Sequence, residues 1–191
     1  EIGDWVFREA AAKAKQWCDL FNTGFQISVN ISPVQFQSDA LDITEWLAYL
    51  KDLGVEEQHL SIEIPEGLLL NASTDVTDKL LRFRDAGIQV AIDDFGVGYS
   101  ALSYLKRFDI DYLKIDQSFI RNLETDQNDL ALSEAIVIMA HKLGLKVIAE
   151  GVETEEQLRL LLEIGCDNGQ GYLFSRPLPA AKFEDFLRKH D

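Results

Sequence analysis

Residues 91–100 read AIDDFGVGYS, and the reading of that stretch decides the fold. An apolar run from Ile88 to Ile92, broken only by Gln89, ends in the adjacent carboxylates Asp93 and Asp94. Two like charges side by side repel and resist desolvation. A buried strand that ends this way needs something to balance them.

The same ending recurs along the chain. Strands are predicted over residues 26–31, 60–64, 89–93, 112–115, 146–149 and 171–174, with helices near 40–53, 74–86, 99–107, 128–143, 154–164 and 180–189. A first helix, stopped by Asn22-Thr23-Gly24, carries Trp5, Val6, Ala10, Ala14, Trp17, Cys18 and Phe21 at helical spacing. Gly54, Gly87, Gly144 and Gly165 each precede an apolar residue or cysteine, the pattern of a helix closed by a left-handed glycine. Alternating strands and helices imply a parallel sheet with helical crossovers.

The polar residues then choose between an open sheet and a barrel. Asn30 ends the first strand, Glu63 and Glu66 the second, and Asp93 and Asp94 the third. Lys114 and Asp116 end the fourth, Glu150 and Glu153 the fifth, and Gln170 lies beside the sixth. In a (β/α) barrel these ends converge on one mouth. In an open doubly wound sheet they would spread along an edge. The expected class is therefore α/β, a barrel. Six strands in 191 residues fall short of the eight strands and about 250 residues of a closed barrel. The expectation is one domain, residues 1–191, with roughly the first two strand–helix units upstream.

Composition narrows the chemistry. Formal charge is −15, from 33 acidic and 18 basic residues. That balance disfavours polymeric nucleic acid and anionic membrane surfaces, which need basic patches. A small anionic ligand stays possible, because metal ions can reverse the local sign of a site. No apolar run approaches the 18 residues of a transmembrane span. Cys18 and Cys166 form no CxxC pair and are expected as buried free thiols, in keeping with a reducing cytoplasm. His59, His141 and His190 have no metal or triad spacing and are expected at the surface. DFG without a Gly-rich loop, VAIK or HRD argues against a kinase.

Asn30, Glu63, Asp93, Asp94 and Glu150 make an all-oxygen set, suited to Mg²⁺ or Mn²⁺. Several carboxylates at one mouth suggest two ions bridged by a shared carboxylate. Lys114 could orient an attacking water or neutralise a phosphate. Its plainer role is an ion pair with Asp116 or with a site carboxylate. Thr154 before Glu155, Glu156 and Gln157 is an ordinary helix N-cap.

SVNISPVQF, IEIPEG, AIDDFGVGYSALSYLKRFDIDYLKIDQSFI, VIAEGVETEEQ and GCDNGQGYLFSRPLP, in that order, resemble successive motifs of the EAL family of bacterial cyclic-di-GMP phosphodiesterases. The resemblance runs over residues 1–188 and implies a modified TIM barrel. It implies metal ligation by Asn30, Glu63, Asp93, Asp94 and Glu150, with Asp93 shared between two ions, and Lys114 beside the nucleophilic water. It also implies that Glu66 holds the loop after DDFG, that Glu153 supports Glu150, and that Gln170 belongs to the site. The implied reaction is hydrolysis of cyclic-di-GMP to linear pGpG, by a chain that pairs as a homodimer through the region after DDFG. The EAL tripeptide itself does not occur in these 191 residues, and Pro65 stands where the family usually has Thr. Two functions follow: a metal-dependent phosphodiesterase, or a non-catalytic cyclic-di-GMP receptor or dimerisation module.

Overall fold

The residue after each of the four helix-ending glycines donates its N–H to the carbonyl five residues back. The bonds are Val55 to Leu50 (3.0 Å), Ile88 to Phe83 (3.0 Å), Leu145 to Ala140 (2.9 Å) and Cys166 to Leu161 (2.9 Å). The glycines have φ of 66°, 85°, 81° and 81°, a region that costs other residues a Cβ clash. Each cap turns the chain back toward the sheet, and a strand follows.

The structure is a computed structural model describing residues 2–22, 24–38, 41–70, 73–98, 105, 108 and 110–190. Its elements run α1 (Ile2–Phe21), β1 (Ile27–Asn30), α2 (Pro33–Gln37), α3 (Ile43–Leu53), β2 (Leu60–Pro65) and α4 (Glu66–Leu70). Then come α5 (Thr74–Ala86), β3 (Gln89–Phe95), β4 (Tyr112–Ile115), α6 (Gln117–Arg121) and α7 (Gln127–Lys142). The last are β5 (Lys146–Glu150), α8 (Glu155–Glu163), β6 (Asn168–Gln170) and α9 (Ala180–His190). The helix expected over 99–107, and with it the expected dimer contact after DDFG, lies mostly outside the described residues.

All neighbouring strands pair in parallel, and their order in space is their order in sequence. Every crossover therefore steps the same way. A doubly wound sheet would reverse at a switch point; this one winds in one direction, as a barrel wall does. The sheet is the curled half-barrel of an α/β modified TIM barrel.

Register sorts the side chains onto two faces. Val29, Ile31, Leu60, Ile62, Ile64, Val90, Ile92, Leu113, Ile115, Val147 and Ala149 are all buried, the face that the helices cover. The alternate positions, Asn30, Glu63, Ala91, Tyr112 and Lys146, form one row of register partners on the other face. Asp93, Lys114, Glu150 and Gln170 lie further along that face. A period of two thus places the polar residues of all six described strands together.

Four expectations are corrected. The sixth strand is Asn168–Gln170, and residues 171–174 form a turn. The apolar run Tyr172–Phe174 suggested a strand, but a Cβ on Gly171 would lie 2.2 Å from Val152 O, so the chain folds over the β5–α8 loop there. Leu173 N–H bonds Val152 O at 2.9 Å. The buried face of α1 is Phe7, Ala11 and Ala14, while Trp5 is 62% exposed. Phe7 stacks on Trp46 with centroids 3.8 Å apart, and the two alanines let α1 approach closely. Both cysteines are free but half-buried; burial pushes the Cys166 thiol up to about 11. His141 is exposed and paired with Asp167, whereas His59 is half-buried with Nδ1 2.9 Å from Phe25 O. No described helix is long and apolar enough to cross a membrane.

Candidate metal and hydrolytic site

Asp93 and Asp94 are adjacent because β3 carries a bulge. Ile92 pairs with Leu113 and Phe95 with Ile115, so two residues of β3 oppose the single residue Lys114 of β4. Asp94 takes the positive φ this requires, 54°, which Asp tolerates better than most residues. Without the extra residue, alternation would send Asp94 to the helix-covered face. The bulge instead turns both carboxylates toward the mouth.

Lys114 sits at the centre. It is 2% exposed, and its Nζ lies 2.6 Å from Glu63 Oε2, 2.8 Å from Asp93 Oδ1 and 2.8 Å from Glu150 Oε1. Burial alone would lower its pKa, but hydrogen bonds to Asp93, Glu150 and Glu63 outweigh that and raise it. Lys114 is therefore a fixed ammonium and no general base at neutral pH. Its partners are site carboxylates; Asp116 instead caps α6 through Ser118 N–H at 2.9 Å.

One ammonium faces four carboxylates here, Glu63, Asp93, Asp94 and Glu150. Oxygens of Asp93, Asp94 and Glu150 all lie within 4.8 Å of one another. Asp94 bears the imbalance: burial, then the charges of Asp93 and Asp116, raise its carboxyl above the usual value. Burial also raises Glu150, against the pull of Lys114. A cluster with surplus negative charge and hard oxygen donors fits a divalent cation. Asn30, in register with Glu63, is exposed at the rim.

Around this cluster the expected supporting residues separate. Gln170 Nε2 donates to Glu150 Oε1 at 2.7 Å. Glu66, 3% exposed, accepts from Gly96 N–H at 3.3 Å, and Pro65 before it ends β2 in register with Asp93. Glu153 is exposed; its N–H bonds Gln157, and Gln170 is the side chain that reaches Glu150. Asp116 belongs to the site through its contact with Asp94, although it reads in sequence as one more strand-end acid. A cavity of about 520 Å³ adjoins the cluster, lined by Gln117, Glu150, Glu153, Gln170, Tyr172 and Arg176 among others. The Arg176 guanidinium lies 4.4 Å from the Tyr172 ring centroid. A recess of about 550 Å³ opens at the opposite end of the strands, near Gln26, His59 and Gln89, away from the carboxylates.

A parallel half-barrel whose strand C-termini gather carboxylates around one ammonium defines the class, a protein of the (β/α)-barrel type. The EAL domain family model matches residues 1–177, and the chain belongs to that family. It is 40% identical over 190 residues to the cyclic di-GMP phosphodiesterase NbdA of Pseudomonas aeruginosa, covering all of this chain and 24% of that protein. The chain thus spans about a quarter of that relative's length. Among solved structures, a PaMucR phosphodiesterase–c-di-GMP complex superposes with TM-score 0.89 at 38% identity, covering 95% of this chain and 73% of that one. Klebsiella pneumoniae BlrP1, in a manganese/cy-diGMP complex, gives TM-score 0.78 at 32% identity, covering 88% of this chain and 43% of that one.

Proposed function

We propose that this chain is the main part of a domain that hydrolyses one phosphodiester of cyclic-di-GMP to give linear pGpG. The observation that carries the reading is the group Asp93, Asp94 and Glu150, gathered around the Lys114 ammonium at the strand C-termini of an EAL-family fold. Asp93, Asp94 and Glu150, with Glu63 and Asn30, would hold Mg²⁺ or Mn²⁺. Bound there, divalent ions lower the pKa of water and stabilise charge on attacking and leaving oxygens.

The chain's own residues have separable tasks. Lys114 stays protonated and offers positive charge to a phosphoryl oxygen or to the attacking water's lone pair. Gln170 orients Glu150. Glu66 fixes the backbone at Gly96, and so the exit of the bulge. The cavity walled by Tyr172 and Arg176 has the aromatic and cationic surface a nucleotide needs.

The test uses this chain and a longer one with its natural upstream segment, each incubated with cyclic-di-GMP and Mg²⁺ or Mn²⁺. The longer chain is expected to release pGpG, and Asp93→Asn or Glu150→Gln to cut the rate by more than about 100-fold. Binding of cyclic-di-GMP without turnover by the longer chain would establish the receptor reading instead.

A further inference from the structure

Two glycines on opposite sides of the site lean on one short helix. A methyl group on Gly96 (φ 100°) would meet the Phe119 ring of α6 at 2.9 Å. A methyl group on Gly151 (φ 70°) would meet Gln117 Cβ of the same helix at 2.8 Å. Gly96 follows the bulge that carries Asp93 and Asp94, and Gly151 follows Glu150. Helix α6 therefore fills the space between the two carboxylate-bearing loops.

The far end of α6 is tied down from α8. Gln157 is 5% exposed, and its Nε2 donates to Ile120 O at 3.1 Å. Its Oε1 accepts from Glu153 N–H at 2.7 Å and from Thr154 N–H at 3.1 Å. One buried amide thus joins the end of α6 to the loop after Glu150. A five-residue helix has no stability of its own, so α6 stands where these contacts hold it. Buried polar groups this fully bonded specify one arrangement of their neighbours.

We propose that Phe119 and Gln157 are positioning residues that seat α6 as a spacer, setting the separation between the Asp93–Asp94 bulge and Glu150. The use of that spacing for ions rests on the proposed function; the spacing itself does not.

The test is amide exchange on the whole chain in chelator, comparing wild type with Phe119→Ala, Phe119→Leu, Gln157→Leu and Gln157→Glu. Phe119 lies against Gly96, and Gln157 bonds the Glu153 side, so local damage stays on one side. The spacer requires crossing effects. Phe119 variants should speed exchange at the Glu153 N–H at least fivefold, and Gln157 variants should do so at the Gly96 N–H, with α5 amides unchanged. Crossing effects under twofold in folded variants overturn the proposal. If Phe119→Ala or Gln157→Leu fails to fold, Phe119→Leu and Gln157→Glu carry the same test. Calorimetric titration with Mn²⁺ adds a second reading: at least tenfold weaker binding is expected for folded Phe119→Ala and Gln157→Leu, and unchanged binding overturns the spacer. Wild type that takes no Mn²⁺, in this chain and in the longer one, would sink the proposed function alone and leave the exchange data to decide the spacer.

Discussion

Lys114 Nζ lies 2.8 Å from Asp93 Oδ1, in a site where the lysine side chain is 3% exposed. The same ammonium also reaches Glu63 and Glu150, so a single charge on β4 ties β2, β3 and β5 to it electrostatically. Lys114→Met would leave three partly or fully buried carboxylates without their cation. The expected loss is about 3–5 kcal/mol in chelator, read by urea unfolding. Millimolar Mn²⁺ should restore part of it; no restoration would count against a cation site among these carboxylates.

Asp94 gives a pH signature. Its pKa is raised above 3.8 by burial and by the charges of Asp93 and Asp116, and burial raises Glu150 above 4.5. A carboxyl whose folded pKa is raised contributes stability below its unfolded value and loses it as pH climbs through the folded one. In chelator, Asp94→Asn should therefore gain in Tm over wild type as pH rises from about 4 to about 7. Asn also tolerates the positive φ. A constant Tm difference across that range would contradict the assignment. Mn²⁺ at neutral pH should favour wild type, since a ligand stabilises the state that binds it.

Glu66 supports the bulge from beneath. Glu66→Leu would leave the Gly96 N–H without its carboxylate acceptor, at a cost of about 1–3 kcal/mol. Glu66→Gln keeps an acceptor oxygen and should lose less. Denaturant midpoints and Mn²⁺ titrations of both variants check this, and equal losses for the two would rule out the hydrogen bond as the cause.

Lys79 plays a matching part on the Asn30 side. It is 7% exposed, donates to Phe36 O at 2.9 Å and Ser38 O at 3.0 Å, and pairs with Asp75 at 2.7 Å. It thus pins the end of α2, the helix that follows Asn30, to α5. Lys79→Met should cost about 1–3 kcal/mol by leaving two carbonyls unbonded. A variant as stable as wild type in urea would show those carbonyls finding other donors.

Much of the site was legible before the fold. Asn30, Glu63, Asp93, Lys114, Glu150 and Gln170 were recognisable as polar ends of strands, because strand alternation and glycine caps are local patterns. Gln157 was legible only as a cap neighbour, since its second bond goes to Ile120, 37 residues away. Lys79 carried no signal at all, because a buried lysine looks like any helix lysine until its carbonyl partners arrive. The apolar Tyr172–Phe174 run misled, as composition cannot tell a strand from a turn packed on another loop.

The sequence alone determined the parallel α/β order, the helix ends and the set of charged strand termini, all of which depend on neighbours within a turn or two of chain. Only the tertiary structure decided how Asp93 and Asp94 coexist. Their bulge exists in the pairing of β3 with β4, and the balance of their charge is set by Lys114 from the second of those strands. Register and charge pairing between distant segments are properties of the assembled sheet, so no local pattern could encode them.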